Sequence, residues 1–86
     1  MNSSYTIKFE KAALKFLQKQ DKPTRERLIK VIHQLPNGTD IKKLQGYHNL
    51  YRVRVGSIRI LYSIEEMVKI INIENIDNRG EIYKRY

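Results

Sequence analysis

Tyr51-Arg-Val-Arg-Val-Gly-Ser-Ile-Arg-Ile-Leu-Tyr62 is the stretch of this 86-residue chain that decides its fold. Two runs of alternating apolar and polar residues flank Gly56-Ser57, a pair typical of a two-residue hairpin turn. In the register that such a turn imposes, Arg54 faces Arg59 across the two strands. Because directly opposed residues share one face of a sheet, the stretch predicts a hairpin with an apolar face and a basic face.

The two faces of this hairpin differ in chemistry. The apolar face is expected to carry Tyr51, Val53, Val55, Ile58, Ile60, Tyr62 and Ile64. The opposite face carries Arg52, Arg54 and Arg59, and we call it the arginine face. One interpretation is that it is the solvated side of a half-covered sheet. Like charges set directly opposite each other destabilise a sheet, however, so we expect an anion between Arg54 and Arg59.

The composition describes one small basic domain. Residues 1–86 suffice for a single two-layered core, and 41% of them are hydrophobic. A formal net charge of +8 favours nucleic acid or an acidic protein as partner. The absence of cysteine excludes disulfides and thiolate metal sites. There is no signal peptide and no apolar run near the roughly 20 residues of a membrane span, so we expect a cytoplasmic protein.

The remaining segments predict an α+β fold in the order β-α-α-β-β-β. The predicted elements are a strand over 5–9, helices over 11–20 and 23–35, a connector over 41–49, the hairpin, and a last strand over 68–76. Two N-terminal helices would then pack on an antiparallel sheet.

The register of the last strand determines which side chains join the arginine face. A turn made of the two residues 66–67 or of the four residues 65–68 buries Ile71 and Ile73 and places Glu74 opposite Arg59. A three-residue turn would bury Glu74 instead, which is costly without partners. We therefore predict a row of Arg54, Arg59 and Glu74 across three strands.

The C-terminus and the histidines offer further candidates. Arg79 and Tyr83 are four residues apart, so a helical turn would place them on one face. There arginine could bind phosphate, and tyrosine could stack on a base or transfer a proton. Packing of Tyr83 on the sheet is an equally good interpretation. His33 and His48 lack the spacing of metal ligands, so we expect no metal and no cofactor.

Three segments carry a resemblance to a known family. They are Lys43-Leu44-Gln45-Gly46, the hairpin from Tyr51 to Tyr62, and Asn78-Arg79-Gly80-Glu81-Ile82-Tyr83. In these segments and in its element order, the chain resembles the RelE/ParE superfamily of bacterial toxins, and the RelE branch most closely. The resemblance covers nearly the whole chain and implies a RelE-like fold of the microbial ribonuclease type.

The resemblance also implies a function and partners. The chain would be the toxin of a type II toxin–antitoxin system, a metal-independent endoribonuclease (mRNA interferase) that cuts mRNA in the ribosomal A site and so inhibits translation. Its chemistry would be attack of a ribose 2′-hydroxyl on the adjacent phosphate. The implied partners are a cognate RelB-like antitoxin, mRNA and ribosomal RNA.

Site residues follow from the same resemblance. Its implied catalytic residues are Arg54, Arg59, Arg79 and Tyr83. It also implies that Arg52 binds RNA, while the positive charge of Lys42, Lys43, Lys84 and Arg85 predicts further phosphate contacts that do not read sequence. The chain departs from the best-known branch in having arginine where that branch has lysine, at Arg52 and Arg54, and Asp77 where it has arginine. Since arginine stays protonated, the general base is left open among Tyr83, Glu74 and a ribosomal RNA group.

Two alternatives stay open. A ParE-like toxin would inhibit DNA gyrase by binding it and would cut nothing, and the hairpin sequence occurs in both branches. An inactive domain would only bind an antitoxin.

Overall fold

One mixed sheet and two helices make up the part of the chain that the computed structural model describes, residues 5–78. The elements are β1 (Thr6–Phe9), α1 (Lys11–Lys19), α2 (Lys22–Gln34), β2 (Ile41–Lys43), β3 (Leu50–Val55), β4 (Ile58–Glu65) and β5 (Ile70–Asp77). The strands lie in the order β1-β5-β4-β3-β2. The predicted α+β class is confirmed. The sheet is mixed rather than antiparallel throughout, because β1 pairs with β5 in parallel.

The two helices cover the apolar face of the sheet. α1 buries Ala13 and Leu17, and α2 buries Leu28 and Ile32, all in one cluster with the apolar strand residues. Pro23 lies in the first turn of α2, where its missing N–H would have had no partner. Within residues 5–78, no helix is long and apolar enough to cross a membrane.

The β3–β4 hairpin has the predicted register. Arg54 faces Arg59, and the apolar pairs are Val53–Ile60 and Val55–Ile58. Gly56 has a φ of 62°, the positive value that a primed two-residue turn needs. The turn therefore fixes which side chains of both strands enter the core.

A strand that the sequence did not predict extends the sheet beyond β3. Within the expected connector over 41–49, β2 pairs antiparallel with β3 and places Lys42 opposite Arg52. The connector prediction is thus wrong for residues 41–43. Three residues are too few to show the alternation that identifies a strand.

The turn between β4 and β5 spans residues 66–69, with Glu65 opposite Ile70. The Tyr5 hydroxyl donates to Glu66 Oε1 at 2.8 Å, and the Lys69 ammonium lies 3.3 Å from the same oxygen. The hydrogen bond from Tyr5 is the main reason that the pKa of the Glu66 carboxyl is lowered. These contacts join the turn to the residue just before β1.

A β-bulge corrects the predicted row on the arginine face. The β4–β5 register shifts between Leu61 and Tyr62, so that Asp77, not Glu74, lies opposite Arg59. Ile71 and Ile73 are buried as predicted. The predicted place of Glu74 is wrong because the turn closes further along the chain and because a bulge changes the phase of a strand.

The core position of Leu28 gives a stability prediction. Leu28 is 0% exposed, whereas Leu14 on α1 is 43% exposed. Leu28→Ala should lower the free energy of unfolding by about 2–5 kcal/mol through lost burial and a cavity. The matched change Leu14→Ala should cost about 1 kcal/mol or less. Urea denaturation of both variants measures the difference, and equal losses would contradict this packing.

Candidate functional site

A basic cleft of about 610 Å³ lies on the arginine face of the sheet. Its described lining residues are Lys42, Lys43, Leu44, Gln45, Arg52, Arg54 and Arg59. β2 and the segment after it supply one wall, and β3 and β4 supply the arginines. The structure therefore brings together five of the predicted site residues in one depression.

A row of charges crosses the sheet at this cleft. Arg54 and Arg59 lie opposite each other, and Asp77 lies opposite Arg59 on β5. Asp40 directly precedes β2, and its carbonyl accepts a hydrogen bond of 3.2 Å from the Arg54 amide. The row is therefore Asp40, Arg54, Arg59, Asp77, with a carboxylate at each end. These carboxylates offset part of the repulsion between the two arginines.

Asp40 contacts two arginines in different ways. Arg52 Nη1 donates to the Asp40 carbonyl at 2.9 Å and to its Oδ1 at 3.0 Å, and the Arg52 side chain is only 9% exposed. Arg54 Nε lies 3.6 Å from Asp40 Oδ2, and the Arg54 side chain is 45% exposed. Arg52 is thus a fixed cation under the cleft, whereas Arg54 is accessible to solvent.

Apolar side chains also lie on the arginine face. Leu50 and Leu61 are buried there, and Leu44 packs against them. The interpretation of this face as merely the solvated side of a sheet therefore does not hold along β4. The signal in the sequence is Leu61, which follows Ile60 and breaks the alternation.

Glu74 belongs to a separate polar group beside the bulge. Its Oε2 accepts hydrogen bonds from Ser63 Oγ at 2.7 Å and from Asn72 Nδ2 at 3.0 Å. Asn72 Nδ2 also donates to Glu10 Oε2 at 2.8 Å. Glu74 is not among the residues that line the basic cleft. Together these hydrogen bonds of Glu74 and Asn72 join β4, β5 and the residue just before α1.

Other titratable candidates lie away from the cleft. His33 is on α2 and His48 is in the segment between β2 and β3. Burial raises the pKa of the Tyr62 phenol, which therefore stays protonated at neutral pH. Among residues 5–78, no group of three or more potential ligands could hold a metal ion. The candidates Arg79, Tyr83, Lys84 and Arg85 lie outside the described residues, so their roles stay predictions.

Asp40 is the residue of this site that the sequence did not reveal. It lies in a segment whose sequence predicts only that the preceding helix ends there. Its φ is 58°. Aspartate is one of the few residues other than glycine that enter this left-handed region readily. That tolerance is a weak local signal, and the contacts with Arg52 and Arg54 depend on the paired strands.

The fold is that of a small α+β toxin domain, as comparison with known proteins shows. The family model described as the ParE toxin of the type II toxin–antitoxin system parDE matches residues 7–83. Toxin RelE3 of Methanocaldococcus jannaschii is 34% identical over 84 residues, which are 90% of this chain and 93% of that protein. The chain belongs to this ParE/RelE toxin family, and the resemblance found in its sequence is confirmed.

Solved structures agree with this assignment. The chain is similar to the archaeal RelE–RelB complex from Pyrococcus horikoshii OT3, with a TM-score of 0.78, 32% identity, and coverage of 90% of this chain and 97% of that one. The RelB–RelE complex from Methanococcus jannaschii gives a TM-score of 0.73 at 30% identity, covering 92% and 98%. The intact Escherichia coli RelBE complex, at 22% identity and a TM-score of 0.75 over 90% and 99%, shares the fold.

The unequal burial of the two arginines predicts unequal effects on stability. Arg52→Ala removes two hydrogen bonds to Asp40 and should lower the free energy of unfolding by about 1.5–3 kcal/mol. Arg54→Ala removes a partly exposed ion pair and should cost about 1 kcal/mol or less. Urea denaturation at constant salt compares them. A larger loss for Arg54→Ala would show that Asp40 is held differently.

Proposed function

We propose that this toxin is a ribosome-dependent endoribonuclease that cleaves mRNA in the ribosomal A site. The observation that supports this most is the pair Arg54 and Arg59, opposed on neighbouring strands and lining one basic cleft. Guanidinium groups form paired hydrogen bonds with phosphate oxygens, and two adjacent groups can bind one phosphate from two sides. Similarity to RelE toxins over most of the chain supports the same function.

In this proposal the cleft stabilises the charge that develops during cleavage. The ribose 2′-hydroxyl loses its proton and attacks the adjacent phosphorus, while the bond from phosphorus to the 5′-oxygen breaks and the departing 5′-oxygen takes up a proton. The products are a 2′,3′-cyclic phosphate and a 5′-hydroxyl. Arg54 and Arg59 donate to the non-bridging oxygens, where negative charge accumulates in the transition state. The arginines thus supply the positive charge, and no metal ion is required.

Proton transfer needs groups other than these arginines, since a guanidinium stays protonated. The candidates are Tyr83, a ribosomal RNA group and Glu74. The hydrogen bonds that Glu74 accepts and its place outside the cleft make it the weakest of the three. Tyr83 would orient the nucleotide or transfer a proton, and Arg79 would bind a flanking phosphate.

Further basic side chains in and around the cleft would attract the phosphates of RNA. Lys42 and Lys43 extend its basic wall, and Arg52 adds a fixed charge beneath it. Lys84 and Arg85 would add to this charge from the C-terminus. Such contacts bind phosphates without reading bases, so affinity should fall as salt rises.

A RelB-like antitoxin is the proposed protein partner. The similar structures are RelE–RelB complexes. A net charge of +8 favours an acidic partner, which would silence the toxin by covering the arginine face or by displacing the C-terminal segment. Since the proposed target is the translating ribosome, the toxin would act in the cytoplasm.

Cleavage should depend on Arg59. Arg59→Ala removes one donor to the transition-state charge, and a donor of this kind contributes about 10²–10³-fold in rate. Primer extension on an mRNA translated with purified toxin measures cleavage in the A site. The control is Lys30→Ala, which removes one positive charge from α2 on the other side of the sheet. Full cleavage by Arg59→Ala, or no cleavage by the unaltered toxin, would refute the proposal.

A second candidate function is inhibition of DNA gyrase, since the matching family model is described as a ParE toxin. A gyrase supercoiling assay distinguishes the two. Inhibited supercoiling with intact mRNA would favour the ParE-like function, whereas a toxin that leaves supercoiling unchanged and cuts mRNA is RelE-like. If the chain shows neither activity and cells that express it grow normally, it is an inactive antitoxin-binding domain.

A further inference from the structure

Asp40 is placed at the cleft by a positive φ angle and by three contacts with the side chains of arginines, besides the hydrogen bond from the Arg54 amide to its carbonyl. Its φ of 58° turns the chain into β2. Its carbonyl and Oδ1 accept hydrogen bonds from Arg52, and its Oδ2 lies 3.6 Å from Arg54 Nε. The carboxylate of Asp40 thus has one oxygen toward each arginine, as a non-bridging pair of phosphate oxygens would.

The two arginines differ in how easily they could leave Asp40. Arg52 is buried, and its two hydrogen bonds are at most 3.0 Å long. Arg54 is half exposed, and its ion pair exceeds hydrogen-bond distance. An anion entering the cleft can therefore take Arg54 from Asp40 at low cost, while Arg52 stays in place.

We propose that Asp40 is a positioning residue that acts as an internal substitute for the substrate phosphate. It holds Arg52 and orients Arg54 in the empty cleft, and it gives up Arg54 to a phosphate of the bound RNA. This inference rests on the proposed function, because it takes the cleft's ligand to be RNA.

The exchange has two opposite consequences for the toxin. While Asp40 keeps its charge, each RNA phosphate has to compete with it for Arg54, so binding is weaker than the arginines alone would give. After the exchange the Asp40 carboxylate still lies beside Arg54 and attracts its guanidinium, which keeps that group oriented for the transition state. Asp40 therefore lowers affinity for RNA and raises the rate of cleavage.

The variant Asp40→Asn removes the charge of Asp40, so that its effects on RNA affinity and on the cleavage rate can be measured. Asparagine tolerates a positive φ as aspartate does and retains an oxygen for Arg52, but it has no charge. The matched control is Glu26→Gln, the same change in net charge on α2, across the sheet from the cleft. Asp40→Gly, which also tolerates the positive φ, is a second variant should Asp40→Asn fail to fold.

Binding is measured first, without the ribosome. The probe is a fluorescent single-stranded RNA with 2′-O-methyl groups, which cannot undergo 2′-hydroxyl attack. Removal of the Asp40 charge should tighten binding by roughly twofold to fivefold. It should also steepen the slope of log affinity against log salt by less than the roughly 0.7 of a whole phosphate contact, because Arg54 contacts the phosphate in both proteins and only the aspartate takes up a salt cation when it releases Arg54. Glu26→Gln should leave the slope unchanged.

Cleavage is measured second, as kcat and KM in the translation assay. Asp40→Asn should lower both kcat and KM, because RNA binds more tightly while Arg54 is less well oriented. A purely structural role for Asp40 would lower stability without a steeper salt slope. A folded Asp40 variant whose affinity and slope match those of Glu26→Gln overturns the inference. If the unaltered toxin cuts no mRNA, the proposed function fails, and the binding slopes still decide the role of Asp40.

Discussion

The cross-strand register of the β3–β4 hairpin is the constraint on which the rest of this structure depends. Gly56, at a φ of 62°, closes a two-residue turn, and every residue of both strands is thereby assigned to one face. A slip by one residue would move the arginines into the core and the core residues to the surface. The helices can pack on the sheet only because Val53, Ile60 and their neighbours all lie on the same side.

This register places the positive charges of Arg54 and Arg59 opposite each other, and carboxylates of the protein offset part of their repulsion. Asp40, just before β2, and Asp77, on β5, stand at the two ends of the row, so each of the two arginines has a carboxylate as a neighbour. The sequence predicted an anion between the two arginines, and in the structure the carboxylates lie beside them. That placement leaves both arginines on the wall of the cleft, where a phosphate can reach them.

The hairpin, the helices and the core could be predicted because their signals are local. Alternation, turn chemistry and helical spacing can be read within a few residues, and they identified the apolar pair Val53–Ile60 and the pair Arg54–Arg59. The bulge at Leu61–Tyr62 was missed, although Glu74-Asn75 interrupts the alternation of β5 between Ile73 and Ile76, because two adjacent polar residues near the end of a strand do not by themselves define a shifted register. Asp40 was missed for a related reason, because its contacts exist only once β2 and β3 are paired.

The position of β5 between β1 and β4 affects how the chain can fold during its synthesis. β1 leaves the ribosome first, yet its neighbour in the sheet is made only after the helices and three other strands. α1 also packs against β5. A nascent chain that ends at β4 can form the hairpin but cannot attach its first strand or complete the core under α1. Such pairing between distant segments is slow compared with hairpin formation. The ribosome that makes this toxin has therefore translated residues 70–77 before the folded domain can exist.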